Sequence, residues 1–171
     1  MRRQINTCIM QSFKNWLTLH EGLQIIHIDP EEDWEMADQA YQIAKLVNIR
    51  ASRNKNPTII ALNDKQDVIG AAFTSWEDDH DMTQQVGEPV AHWDFDVVVH
   101  PQWQGYEMVG MKLIRQAEAE KKNLEGQYGQ RAYSRMWVVN PKLARVLQTP
   151  KYGYTADSEY EDGSAHLSKW D

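Results

Sequence analysis

Residues 91–124 place a strand, a short loop with proline and glycine, and a long helix in direct succession. Across 91–99 the polar His92, Asp94 and Asp96 alternate with Trp93, Phe95 and Val97, the period-two pattern of a strand with two unlike faces. A loop over 101–106 follows, and helical spacing then runs to about Leu124. A unit of this kind brings the C-terminal end of a strand and the N-terminal end of a helix to one place. The rest of the chain must supply that strand with neighbours.

It does so on both sides. Residues 23–28 read as a strand, and 58–62 and 68–76 as a hairpin around the turn 63–67. Between them, Asp29-Pro30-Glu31-Glu32-Asp33 is a helix start, with a capping acid, proline in the first turn and more acids behind it. That helix is expected to reach Ile49 and to bury Trp34, Ala37, Ala40, Tyr41, Ala44 and Val47. Residues 51–57 read as a polar, basic loop and 77–88 as a polar, acidic one. After the long helix come a strand over 132–139, a short helix from Asn140-Pro141 to Gln148, and two strands over 152–156 and 165–170. An amphipathic helix is expected over 7–20. The fold class is α/β (α+β): a mixed, mostly antiparallel sheet flanked by helices, in one domain over 1–171 with 1–21 as an N-terminal helical extension.

Charge narrows the function classes. With 18 basic and 25 acidic residues the formal net charge is −7, so nucleic acid is not an expected partner, because phosphate binding draws on excess Lys and Arg. A cationic amine or a basic protein surface is compatible with it. No apolar run is long enough to span a membrane, and the basic start at Arg2-Arg3 is read as neither signal peptide nor anchor. One cysteine, Cys8, excludes an internal disulfide framework and a cysteine-rich zinc site, and on an amphipathic helix it reads as an inert thiol.

Local clusters add little chemistry. Asp78-Asp79-His80-Asp81 are consecutive and so do not converge on one ion; no metal is expected. Ser75, Ser134 and Ser164 lack the turn that exposes a nucleophilic serine. The alternation at His92, Asp94 and Asp96 reads first as a solvated strand face.

Several short motifs, taken in order, resemble the GNAT N-acetyltransferase family from Leu23 onward. They are the first strand with Asp29-Pro30-Glu31-Glu32-Asp33, Val68-Ile69-Gly70 in the hairpin, and above all Val99-His100-Pro101-Gln102-Trp103-Gln104-Gly105. The family there reads V-x-P-x-x-R-G-x-G-x-G. Asn140 and Gly153-Tyr154 are similar to the Asn and Gly-Phe of its last helix and strand. The resemblance implies acetyl-CoA as cosubstrate. It implies a pyrophosphate cradle at Gln104, Gly105, Tyr106, Glu107, Met108, Val109 and Gly110, where a turn entering a helix offers free N–H groups. It implies pantetheine pairing along Val98 and Val99, with Asn140 nearby. His92 and Asp94 are the nearest equivalents of the carboxylate base some members carry on this strand. The chain departs from the pattern at Gln104 for Arg, Glu107 and Val109 for Gly, and Gln148 or Thr149 where many members have a tyrosine acid.

Two functions follow from the resemblance. One is an acetyl-CoA-dependent N-acetyltransferase acting on a small-molecule or protein amine, in the cytoplasm, as a homodimer or with a protein partner. The other is a non-catalytic GNAT-fold protein acting through protein contacts, such as a phage virion or assembly component, in the host cytoplasm or the virion. The transferase requires a V-shaped gap between the central strands and a cradle clear of the Glu107 side chain; the structural protein requires a filled gap.

Overall fold

A computed structural model of the protein describes residues 22–49 and 55–170. The helix expected over 7–20 lies outside the described residues. In chain order the elements are β1 (Gln24–His27), α1 (Trp34–Leu46), β2 (Asn56–Leu62), β3 (Val68–Asp78), α2 (His80–Val86), β4 (Val90–Val99), α3 (Val109–Tyr128), β5 (Arg131–Val138), α4 (Pro141–Leu147), β6 (Thr155–Glu159) and β7 (Ala165–Lys169). Two single 3₁₀ turns, Pro101–Trp103 and Tyr106–Met108, lie between β4 and α3. The seven strands form one sheet in the order β1-β2-β3-β4-β5-β7-β6. All neighbours are antiparallel except β4 and β5, which run parallel. This is the mixed, mostly antiparallel sheet expected from the sequence.

The core has two layers. On one face, α3 and α4 pack Val109, Leu113, Ala117, Ala144 and Leu147 against Ile69, Trp93, Phe95, Met136 and Leu167. On the other, α1 lays Ala37, Ala40, Ile43 and Ala44 over Ile60, Leu62, Ala71, Phe73 and Val98. Covered on both faces, β3 is buried without a break from Val68 to Thr74, as a central strand must be. Trp93 donates its indole N–H to the Ala117 carbonyl at 2.9 Å, tying β4 to α3.

Several expectations are corrected. Residues 77–88 are not one loop: β3 extends to Asp78 and α2 follows, because the Asp79 carboxylate accepts the Met82 N–H at 2.9 Å and caps a helix that periodicity alone does not reveal. Helix α1 starts at Trp34, not Pro30, since Asp29 takes the Glu31 N–H in a turn of its own. Trp34 is 64% and Tyr41 41% exposed, and Ile43 is buried in their stead. Residues 152–154 are not strand, because the Tyr154 N–H returns to the Leu147 carbonyl and seals the end of α4.

Candidate active site

The sheet opens at its centre. β4 pairs with β3 all the way to Gly70↔Val99, yet its parallel ladder with β5 runs only from Val90↔Arg131 to Asp94↔Arg135. Beyond that rung β5 pairs with β7 as far as Val138↔Ala165. Among the described residues, the edge of β4 that faces β5 is therefore without a strand partner from Phe95 to Val99. This is the V-shaped gap, with the Asp94–Arg135 rung at its apex.

At the wide end of the gap lies the turn into α3. The His100 ring accepts the Gln102 N–H at 3.2 Å and starts the first 3₁₀ turn. Gly105 then takes φ +84°, and Glu107 and Met108 take φ +41° and +56°. Positive φ at residues with a Cβ costs on the order of 1–2 kcal/mol each. Strain of that kind persists where surrounding packing imposes it and concentrates at ligand sites. The left-handed Met108 followed by the right-handed Val109 turns successive N–H groups to one side, the concave arrangement that holds anions, at the start of a 20-residue helix. Gly70 brings that helix close. A Cβ there would sit 2.9 Å from the Val98 carbonyl oxygen and 3.3 Å from Val109 Cγ1.

The predicted cradle residues are thus brought together. Glu107 does not close the cradle: its carboxylate lies 3.4 Å from Lys112 Nζ, with both side chains 44% exposed. Partial desolvation, and then the Glu107 carboxylate, push the Tyr106 hydroxyl above its usual range. Gln104 reaches the Val99 carbonyl only at 3.5 Å. Asn140 stands apart from the cradle as the N-cap of α4, its side-chain oxygen accepting the N–H groups of Lys142 and Leu143. Where a tyrosine acid would be sought, Gln148 bonds Ala144 and Glu159, and the Thr149 hydroxyl bonds the Val146 carbonyl.

On the face opposite α3, the apex of the gap opens into a cleft of about 370 Å³ lined by Lys55, Asp94, Arg135, Trp137, Asp157 and His166 among others. Asp94 Oδ1 and Oδ2 accept from Arg135 Nε and Nη2 at 2.7 and 2.8 Å. Burial pushes the Asp94 carboxyl up, but the His92 ring and the Arg135 guanidinium beside it outweigh burial and hold it below the usual carboxylate range. His92 does not line the cleft: its Nδ1 lies 3.2 Å from Asp94 and its Nε2 turns to Glu77 at 3.8 Å. Asp96 is also buried, with Lys55 Nζ at 2.8 Å. The solvated face expected for His92, Asp94 and Asp96 is therefore corrected. These side chains are largely buried, and Lys55 and Arg135 supply the counter-charges that make burial tolerable.

Sequence reasoning missed Lys55, Arg135, Trp137, Asp157 and His166. The outward phase of Arg135 and Trp137 on one strand was legible. That β7 would set His166 beside Trp137, stacked at 5.9 Å, was not.

Known proteins share the fold. The chain is similar to a GNAT-family acetyltransferase of Listeria monocytogenes, at 11% identity over 87% of this chain and 95% of that one, with a TM-score of 0.50. It is similar to an agmatine N-acetyltransferase in its apo form, at 11% identity over 86% and 98%, TM-score 0.57. It is similar to a chain of the NatC complex bound to Gag peptide and CoA, at 10% identity over 88% and 99%, TM-score 0.57. The chain has the GNAT acetyltransferase fold. No family model and no curated protein matches its sequence. Among the described residues no His, Cys, Asp or Glu group is arranged to hold a metal ion, and no helix is long and apolar enough to cross a membrane.

Proposed function

We propose that the protein is an acetyl-CoA-dependent N-acetyltransferase acting on an amine. The observation that carries this is the unpartnered edge of β4 from Phe95 to Val99, which ends at a concave run of N–H groups at the mouth of the gap. An extended chain with amide groups adds to such an edge as a strand does. Pantetheine would pair along Val98 and Val99. The pyrophosphate would meet the backbone of residues 104–110, where the helix dipole favours negative charge. The thioester would then arrive at the Asp94–Arg135 rung, where gap and cleft meet.

The acceptor enters from the cleft. Asp94, its charge already matched by Arg135, accepts a hydrogen bond from the incoming ammonium. So strongly paired a carboxylate is a weak base, so the ammonium proton passes to water at Asp94. The free amine attacks the thioester carbonyl, the C–N bond forms, the C–S bond breaks and CoA leaves as thiolate, and the proton shed by the new amide nitrogen passes through water to that thiolate. Arg135 and His92 are positioning residues that fix the Asp94 carboxylate. A small-molecule amine suits a cleft of this size.

The test is calorimetric titration with acetyl-CoA, with CoA as product control. Micromolar binding is expected. Absence of both heat and thermal shift at millimolar acetyl-CoA would refute the reading.

A further inference from the structure

Among the described residues the charges around the cleft do not balance, and the excess has a place. Lys55 is spent on Asp96 at 2.8 Å, with both side chains nearly buried. Arg135 is spent on both oxygens of Asp94. Each pair is neutral as a unit, so neither Lys55 nor Arg135 offers a net positive charge to a ligand. The remaining carboxylate on the cleft wall, among the described residues, is Asp157. It sits at an irregularity of β6, between the rungs Ala156↔Leu167 and Ser158↔His166. Its Oδ1 accepts the Ser168 hydroxyl at 2.7 Å, and no cation pairs with it among the described residues. The hydrogen bond fixes the carboxylate without neutralising it.

The wall beside Asp157 is aromatic. Trp137 lines the same cleft and is 42% exposed, braced from behind by His166 in a near-parallel stack at 15°. Tyr160 abuts the other side of that imidazole at 5.8 Å. An indole face next to a fixed, unneutralised carboxylate attracts a cation through both the ring quadrupole and the charge. An anion finds the guanidinium already occupied and a carboxylate in its path.

We infer that the acceptor is dicationic, an aliphatic diamine or an amine with a second basic group, whose reacting nitrogen lies at Asp94 while its other charge is held by Asp157 and Trp137. The inference rests on the transferase reading for the reacting end, but the cation subsite at Asp157 stands on the cleft itself. Asp157 here is a specificity residue: it touches the far end of the acceptor and takes no part in acetyl transfer.

The experiment compares putrescine, n-butylamine and γ-aminobutyrate, three amines on the same carbon spacing whose far ends are cationic, neutral and anionic. With acetyl-CoA present, kcat/KM is expected to fall in that order. In Asp157→Asn the ratio of putrescine to n-butylamine is expected to drop about tenfold, because a hydrogen bond to a charged group is lost. The change should lie in KM for putrescine and be restored by Asp157→Glu. A wild type that treats the three alike, or an Asp157→Asn variant that keeps the preference, overturns the inference and leaves the transferase reading standing. If acetyl-CoA does not bind, the transferase reading fails by itself. Titration of putrescine into the protein alone then decides the subsite: binding that Asp157→Asn weakens upholds it, and absence of binding ends it. Thermal melts of both variants exclude misfolding as the cause.

Discussion

The two halves of the sheet are built differently. Strands β1 to β4 lie between α1 on one face and α3 on the other, whereas among the described residues β5, β7 and β6 have helices on one face only. In the first half the buried Asp96 is closed by Lys55. In the second half each strand turns a polar or aromatic row to the open side: Tyr133, Arg135 and Trp137 on β5, and His166 and Ser168 on β7. The covered half makes the fold stable, and the half-covered one leaves side chains available for chemistry. The gap is the seam between them.

The comparison makes the first half the costliest to disturb. Phe73 is fully buried between β3 and α1, and Phe73→Ala is expected to lower unfolding free energy by about 3–5 kcal/mol in denaturant titration. A loss no larger than that of an exposed residue would mean that α1 does not cover the sheet.

At the seam the expected effects are smaller and depend on pH. Asp94→Asn removes one partner of the Arg135 pair and is expected to cost roughly 1–3 kcal/mol at neutral pH. The folded Asp94 carboxyl titrates below its unfolded value. Its stabilisation is therefore complete above about pH 4 and disappears as pH falls through the lower, folded value. Wild type and Asp94→Asn should converge in acid; equal spacing of their stability curves at every pH would remove the ion pair from the account. Tyr133 gives the alkaline counterpart. Burial first, then its 2.6 Å hydrogen bond to Asp79, pushes the hydroxyl up to about 12. That contribution is complete below about pH 10, the unfolded value, and is lost as pH rises through about 12. Tyr133→Phe should flatten the alkaline limb, and one tyrosine should ionise late in an ultraviolet titration.

The turn at the mouth should respond in the opposite sense. Glu107→Gly relieves a positive φ and removes a negative charge beside the cradle, so the melting temperature should rise by the equivalent of about 1 kcal/mol. Acetyl-CoA should bind severalfold tighter. A destabilised variant would show that the Lys112 contact outweighs the strain. The smallest stability effect belongs to the open face: Trp137→Ala is expected to change unfolding free energy by about 0.5 kcal/mol, while KM for a cationic acceptor rises.

Much of the fold was legible because its signals are local. Alternation from His92 to Val97 marked the central strand, and the Asn140-Pro141 start of α4 is a true N-cap. Helix α2 was not legible, since its seven residues bury nothing and its cap, Asp79, sits in a run of acids that reads as loop. The buried state of His92, Asp94 and Asp96 was not legible either, because alternation shows that two faces differ and not which of them is wet.

By itself the sequence determined most of the element types, their order, and the turn from β4 into α3. Propensity, capping and periodicity act over a few residues, and a chain carries them wherever it goes. Only the tertiary structure decided that β5 leaves β4 after Asp94, that Lys55 and Arg135 close the two buried carboxylates, and that Asp157 faces the cleft with no cation paired to it among the described residues. The first two depend on residues 41 positions apart and the third on the pairing of β5, β7 and β6, and register between strands is set by what the whole sheet can bury at once.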